Sequence, residues 1–112
     1  MQSFAALFKK YRLKSEFESL ASFGAALAEE GRVYDDSILV RWQGGQRIPR
    51  DRTLLLLILK IFIQRGGITS FTQANEFLAS TGLGYLTNQE QKPLSHYLEN
   101  HRTPIPLELN LL

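Results

Sequence analysis

Eight cationic side chains in the first half of the chain set the chemistry available to it. Lys9, Lys10, Arg12 and Lys14 form one cluster, and Arg41, Arg47, Arg50 and Arg52 form another. No acid interrupts the first cluster, and only Asp51 lies within the second. Ammonium and guanidinium groups neutralise phosphates, and each contact releases condensed counterions. Guanidinium also makes bidentate hydrogen bonds to phosphate oxygens and to guanine edges. A charge run also serves simply as a solvated face, so arrangement has to decide between the two. The modest net charge of +2 hides an asymmetry. Residues 1–65 hold eleven Lys/Arg and seven Asp/Glu, a net of +4, and residues 66–112 hold two and four, a net of −2. The front of the chain suits an anionic partner and the back does not.

Other chemistries find little support. There is no cysteine, which excludes disulfides and thiolate metal sites. His96 and His101 have no acidic cluster beside them, so no metal ligand set is expected. No GxxxxGK[ST] loop occurs. Asp35-Asp36 reads as a capping pair on a turn, and no nucleophile lies beside a base. The expectation is therefore a non-enzymatic chain with no cofactor and no catalytic or metal-ligating residue. "MQSFAALFKKYRLK" lacks the order of a signal peptide, and "LLLLILKIFI" is too short to span a bilayer. The chain reads as cytoplasmic, with no membrane partner.

Helical periodicity dominates the elements that must position these groups. Phe4, Leu7, Phe8 and Tyr11 mark a first helix over residues 3–13. Ser15 with Glu18 fits a capping box for a second, which continues through Leu20, Phe23, Ala26 and Leu27 to Glu30 and stops at Gly31. Asp36 or Asp35 caps a third, which carries Ile38, Leu39 and Trp42 and ends at Gly44-Gly45. Pro49 suits the first turn of the next helix or the turn just before it. Residues 51–65 are apolar on nearly every side, which marks a central buried helix, and Gly66-Gly67 end it. Ser70 with Gln73 starts a fifth helix, marked by Phe71, Ala74, Phe77 and Leu78 and ending near Gly82. Thr87 with Glu90, and then "LSHYLEN", give one or two short helices. "TPIPLELNLL" alternates apolar and polar residues around two prolines and reads as extended.

The chain is thus expected to be all-α: a compact bundle of five or more helices with a helix-turn-helix unit and an extended C-terminal tail. Residues 1–100 form the domain and its helical extension, and residues 101–112 the tail or linker. In a helix-turn-helix unit the second helix enters the major groove and the loop after it touches the backbone. Trp42 is expected to anchor the core, and Gly45 to need positive φ.

At "YDDSILVRWQGGQRIPRDRTLLLLI" the sequence resembles the Cro/repressor-type (xenobiotic-response-element) helix-turn-helix domain. That family's recognition helix commonly ends in Trp, Glu, any residue, Gly, a basic pair, any residue and Pro, followed by a leucine-rich helix. Trp42, Gly45, Gln46, Arg47, Pro49, Leu54, Leu55 and Leu57 occupy those places, and Gln43 stands where the family has Glu. The resemblance covers about residues 4–65. It implies duplex DNA as partner, with Ser37, Ile38 and Arg41 facing the groove and Gln46, Arg47, Arg50 and Lys14 on phosphates. A homodimer would double those contacts. "GGITSFTQANEFLASTGLGYLTNQE" further resembles the segment that follows such a domain in bacterial regulators carrying an NB-ARC-type signalling ATPase. The resemblance implies a transcriptional regulator, or the N-terminal module of a larger one. The other reading is a helical protein-interaction module, favoured by the acidic pair and by Ile38 and Val40 on the reading face, with the apolar tail as a further protein contact.

Overall fold

Phe8 lies at the centre of an aromatic cluster that draws residues from four helices into one core. Its ring meets those of Phe4 (5.6 Å), Phe23 (5.2 Å), Trp42 (6.2 Å) and Phe62 (6.3 Å). Phe62 in turn meets Phe77 at 5.8 Å. Phe4 and Phe8 stack, and the other pairs are edge-on or tilted; such arrangements add to the burial energy of the rings. The computed structural model describes residues 2–102, and side chains through Leu98.

Every regular element among the described residues is an α-helix. The helices are α1 (Phe4–Lys14), α2 (Leu20–Glu29), α3 (Asp36–Gln43), α4 (Arg52–Gln64), α5 (Phe71–Ala79) and α6 (Asn88–Arg102). This is the compact all-α bundle expected. α4 carries seven buried apolar residues, from Leu54 to Ile63, and is the central helix the sequence indicated. α3 packs on α1 and α2, α5 on α1, and α6 on α4. Residues 103–112, and with them most of the expected tail, lie outside the described residues, as does the side chain of His101.

Helix starts correct the sequence reading in places. Ser15 does not cap α2. It is the buried C-cap of α1, and Glu16 turns the chain with φ 68°. The capping box of α2 is Ser19 with Ser22, whose hydroxyls each serve the other's backbone N–H. Phe17 explains the delay. It is buried and needs an extended linker to reach Phe23 at 5.7 Å, and the chain gains helix only after it. Asp35 is the N-cap of α3, with no side-chain cap bond. Pro49 lies in the turn before α4, and Asp51 caps that helix through Leu54 N–H at 3.3 Å. Ser70 caps α5 through Gln73 N–H, while the Gln73 amide oxygen reaches one residue further out, to Thr69 N–H at 2.8 Å.

After Thr87 there is one helix rather than two. Thr87 and Glu90 form the expected reciprocal cap: Thr87 N–H donates to Glu90 Oε1 at 2.9 Å and Glu90 N–H donates to Thr87 Oγ1 at 3.2 Å. Pro93 sits inside α6, past its first turn, where it forgoes the helical hydrogen bond to the Gln89 carbonyl. Arg52 secures this end of the helix. Its Nε donates to Glu90 Oε2 at 2.7 Å and its Nη2 to Glu90 Oε1 at 2.8 Å. Its remaining N–H groups donate to the carbonyls of Leu83 and Tyr85. The Arg52 hydrogen bonds, followed by the Thr87 N–H, hold the Glu90 carboxyl at about 2, below its ordinary 4.5.

Gly67 marks the closest approach between the α4–α5 turn and the end of α1. A Cβ there would overlap Ser15 Oγ and lie 2.8 Å from the Tyr11 carbonyl oxygen. Gly66, by contrast, has open space around it and φ 80°. Gly67→Ala is expected to destabilise by about 2–3 kcal/mol through steric overlap. Gly66→Ala should cost about 1 kcal/mol, through backbone strain alone; urea denaturation of both variants measures the difference. A second expectation concerns pH. The folded-state pKa of Glu90 is depressed, so its stabilisation is complete above the unfolded value near 4.5 and is lost as pH falls toward 2. Wild type should therefore lose more stability across that window than Glu90→Gln, which urea denaturation at several pH values would show.

Candidate nucleic-acid interface

α3 is built with one face for the core and one for solvent. Leu39 and Trp42 are buried, and Asp36, Ser37, Val40 and Arg41 are exposed. Trp42 packs on Phe8 and on Tyr34, the latter at 5.2 Å between centroids, so it is a core anchor, as expected. Ile38 is only half-exposed and leans on the core. The outward apolar side chain is Val40, 54% exposed. Along the outward stripe, Ser37, Val40 and Arg41 follow helical spacing.

The loop after α3 is held from both sides. Gly45 has φ 78°, a left-handed conformation that glycine adopts without steric cost. Gln46 N–H then returns to the Arg41 carbonyl at 3.0 Å, and Arg47 N–H reaches the same oxygen at 3.3 Å. Pro49 is buried and Ile48 half-buried, whereas Gln46, Arg47 and Arg50 are exposed. The apolar pair pins the loop and leaves both arginines outward. Arg41, Arg47, Arg50 and Lys14 have no ion pair among the described residues.

The other arginines in the two clusters have internal work. Arg12 is 5% exposed. Its Nη1 donates to the Phe17 carbonyl at 2.6 Å and its Nε to Gln43 Oε1 at 3.0 Å. Arg12 thus joins the end of α1, the turn after it and the end of α3, and burial lowers its pKa. Arg52 is engaged with Glu90 and two carbonyls, as above. Arg32 pairs with Asp51 at 3.1 Å. Arg65 stacks over Phe17 at 4.3 Å and donates to the Ser15 carbonyl.

The structure also redistributes the first cluster. Ala5 approaches Gly45, whose added Cβ would sit 3.5 Å from Ala5 Cβ, and Arg12 holds Gln43. Ala5, Lys9 and Arg12 share one stripe of α1 at i, i+4 and i+7, which puts exposed Lys9 beside the end of α3. Lys14 is about 160° around the α1 axis from Arg12 and is not on that stripe. Sequence reasoning did not single out Lys9 for the candidate face. Its spacing from Ala5 and Arg12 was visible, but the packing partner that gives the stripe meaning was not.

No group of acids and histidines among the described residues could hold a metal ion, and no described helix is long and apolar enough to cross a membrane. Compared with family models, curated proteins and solved structures, the chain matches none.

Gln43 offers a test of how α3 is anchored. A neutral amide faces a buried guanidinium, and a carboxylate there would form a charge-assisted bond instead. Gln43→Glu is expected to stabilise by about 1 kcal/mol at neutral pH. The gain should vanish as acid protonates the new carboxylate. Paired thermal melts of wild type and variant at neutral and acid pH measure both effects.

Proposed function

We propose that the chain binds double-stranded DNA through the outward face of α3 and the loop that follows it, as a helix-turn-helix module of a transcriptional or larger signalling regulator. The observation that carries this reading is the set of outward cations without ion pairs among the described residues around one exposed helix face: Arg41 on α3, Arg47 and Arg50 on the pinned loop, and Lys9 alongside. α3 has eight residues, about 12 Å of helix, a length that fits a major groove about 12 Å wide. In this reading Ser37, Val40 and Arg41 face base edges. Gln46, Arg47, Arg50 and Lys9 grip phosphates, and Ile38 supports the helix from beneath. A homodimer would present two such faces.

One observation favours a protein partner instead: Val40 is 54% exposed beside the acidic start of α3. A stable complex indifferent to Arg41 and Arg47 would support that reading.

The deciding experiment titrates a labelled pool of random duplexes at two salt concentrations. Wild type should bind at low salt and weaken steeply as salt rises. Arg47→Ala should bind about tenfold more weakly, with the slope of log K against log salt reduced by about one. Absence of binding at low salt overturns the proposal.

A further inference from the structure

α4 and α6 leave a groove open between them. It has a volume of about 760 Å³, and Leu56, Leu57, Pro93, Leu94 and Tyr97 supply its apolar surface. Leu56, Leu57 and Tyr97 are only partly covered by the rest of the core. Three ion pairs stand at the edge, each with a partner in the lining: Lys60 with Glu30 at 3.2 Å, Arg32 with Asp51 at 3.1 Å and Arg52 with Glu90 at 2.7 Å. Every cation of this rim is matched, the opposite of the α3 face. A polyanion gains nothing here. An apolar segment with few charges gains the leucine surface without separating any pair.

The sequence contains such a segment next to the groove. α6 forms one wall and ends at Arg102. The ten residues that follow, "TPIPLELNLL", contain Ile105, Leu107, Leu109, Leu111 and Leu112 and a single charge, Glu108. From Tyr97 to Arg102 is about 8 Å of helix, and ten extended residues span about 33 Å. A chain that turns back at Arg102 can therefore run past Tyr97 and Leu94 to the Glu90 end of the groove. Tethering also gives it an effective concentration in the millimolar range, ahead of any free partner. We propose that the α4–α6 groove is the docking site of residues 103–112 of this same chain. The inference does not depend on DNA binding.

The chain contains no cysteine, so a cysteine pair can be introduced without background. Gln89→Cys marks the exposed edge of the groove, and Glu108→Cys marks the tail without touching its apolar positions. With dilute full-length chain, a short bismaleimide should link the pair within monomers. Replacing Ile105, Leu107, Leu109 and Leu111 by Ser in the same background should slow that reaction by at least about tenfold. Equal rates with and without the serines overturn the proposal. Crosslinked dimers in place of monomers also overturn it, and assign the groove to a second copy.

Discussion

The position of α3 depends on one buried guanidinium. Arg12 is almost wholly withdrawn from water, yet its two described acceptors are neutral: the Phe17 carbonyl and the Gln43 amide oxygen. A charge held this way is costly to leave unsatisfied, so the three segments it joins are constrained together. α1 must end where it does, the turn after it must bring Phe17 back, and α3 must finish within reach. Arg65 covers the same turn from outside through the Phe17 ring. With that turn fixed, Ser15 sits buried and without a partner for its hydroxyl, and Gly67 has no room for a side chain. The same constraint that sets α3 therefore sets the approach of the α4–α5 turn.

This division of labour among cations organises the surface. A count of Lys and Arg treats Arg12, Arg41, Arg47 and Arg52 alike. In the structure Arg12 and Arg52 act as crosslinks: Arg12 joins one turn carbonyl to the Gln43 amide, and Arg52 joins two turn carbonyls to the Glu90 carboxylate. Arg41 and Arg47 point outward from a helix face and a pinned loop. The first kind stabilises the fold and removes charge from the partner-facing surface. The second kind leaves charge where a partner can use it. The α4–α6 groove follows the first pattern and the α3 face the second, so the two surfaces suit partners of opposite character.

Much of this was legible beforehand where a local signal and a tertiary demand agreed. The apolar periodicity of residues 51–65 gave α4, and Trp42 with Gly45 gave the end of α3, because one buried face and one positive-φ glycine suffice there. The start of α2 was misread. Ser15 and Glu18 have the right spacing for a cap, but burial of Phe17 and Ser15 overrides it, and that burial involves not only nearby Arg12 but Arg65 and Gly67, about fifty positions away. Pro93 left open whether one helix or two follow Thr87, because the Arg52 contact that holds the start of α6 comes from thirty-eight positions away. Within the interface, exposure of Arg41, Gln46, Arg47 and Arg50 followed from local alternation. The half-burial of Ile38, the exposure of Val40 and the place of Lys9 on the Ala5–Arg12 stripe depend on which faces of α1 and α3 meet.

Charge along α3 runs from acid to base. Asp35 and Asp36 stand at its start, and Arg41, Arg47 and Arg50 at or beyond its end. That order complements the helix dipole, with carboxylates at the positive end and guanidinium groups at the negative end. It therefore stabilises an eight-residue helix that has no side-chain cap at its first turn. The same order constrains how a polyanion can approach. Phosphates near Asp35 and Asp36 meet repulsion, and phosphates near the Gly44–Arg50 loop meet unpaired guanidinium groups. In the proposed DNA-bound state a duplex would therefore be held mainly from the C-terminal end of α3, where Arg41 leads into the Gly44–Arg50 loop. Helix stability and docking polarity here have one electrostatic origin, so altering the acidic pair to favour DNA would weaken the helix that presents the contacts.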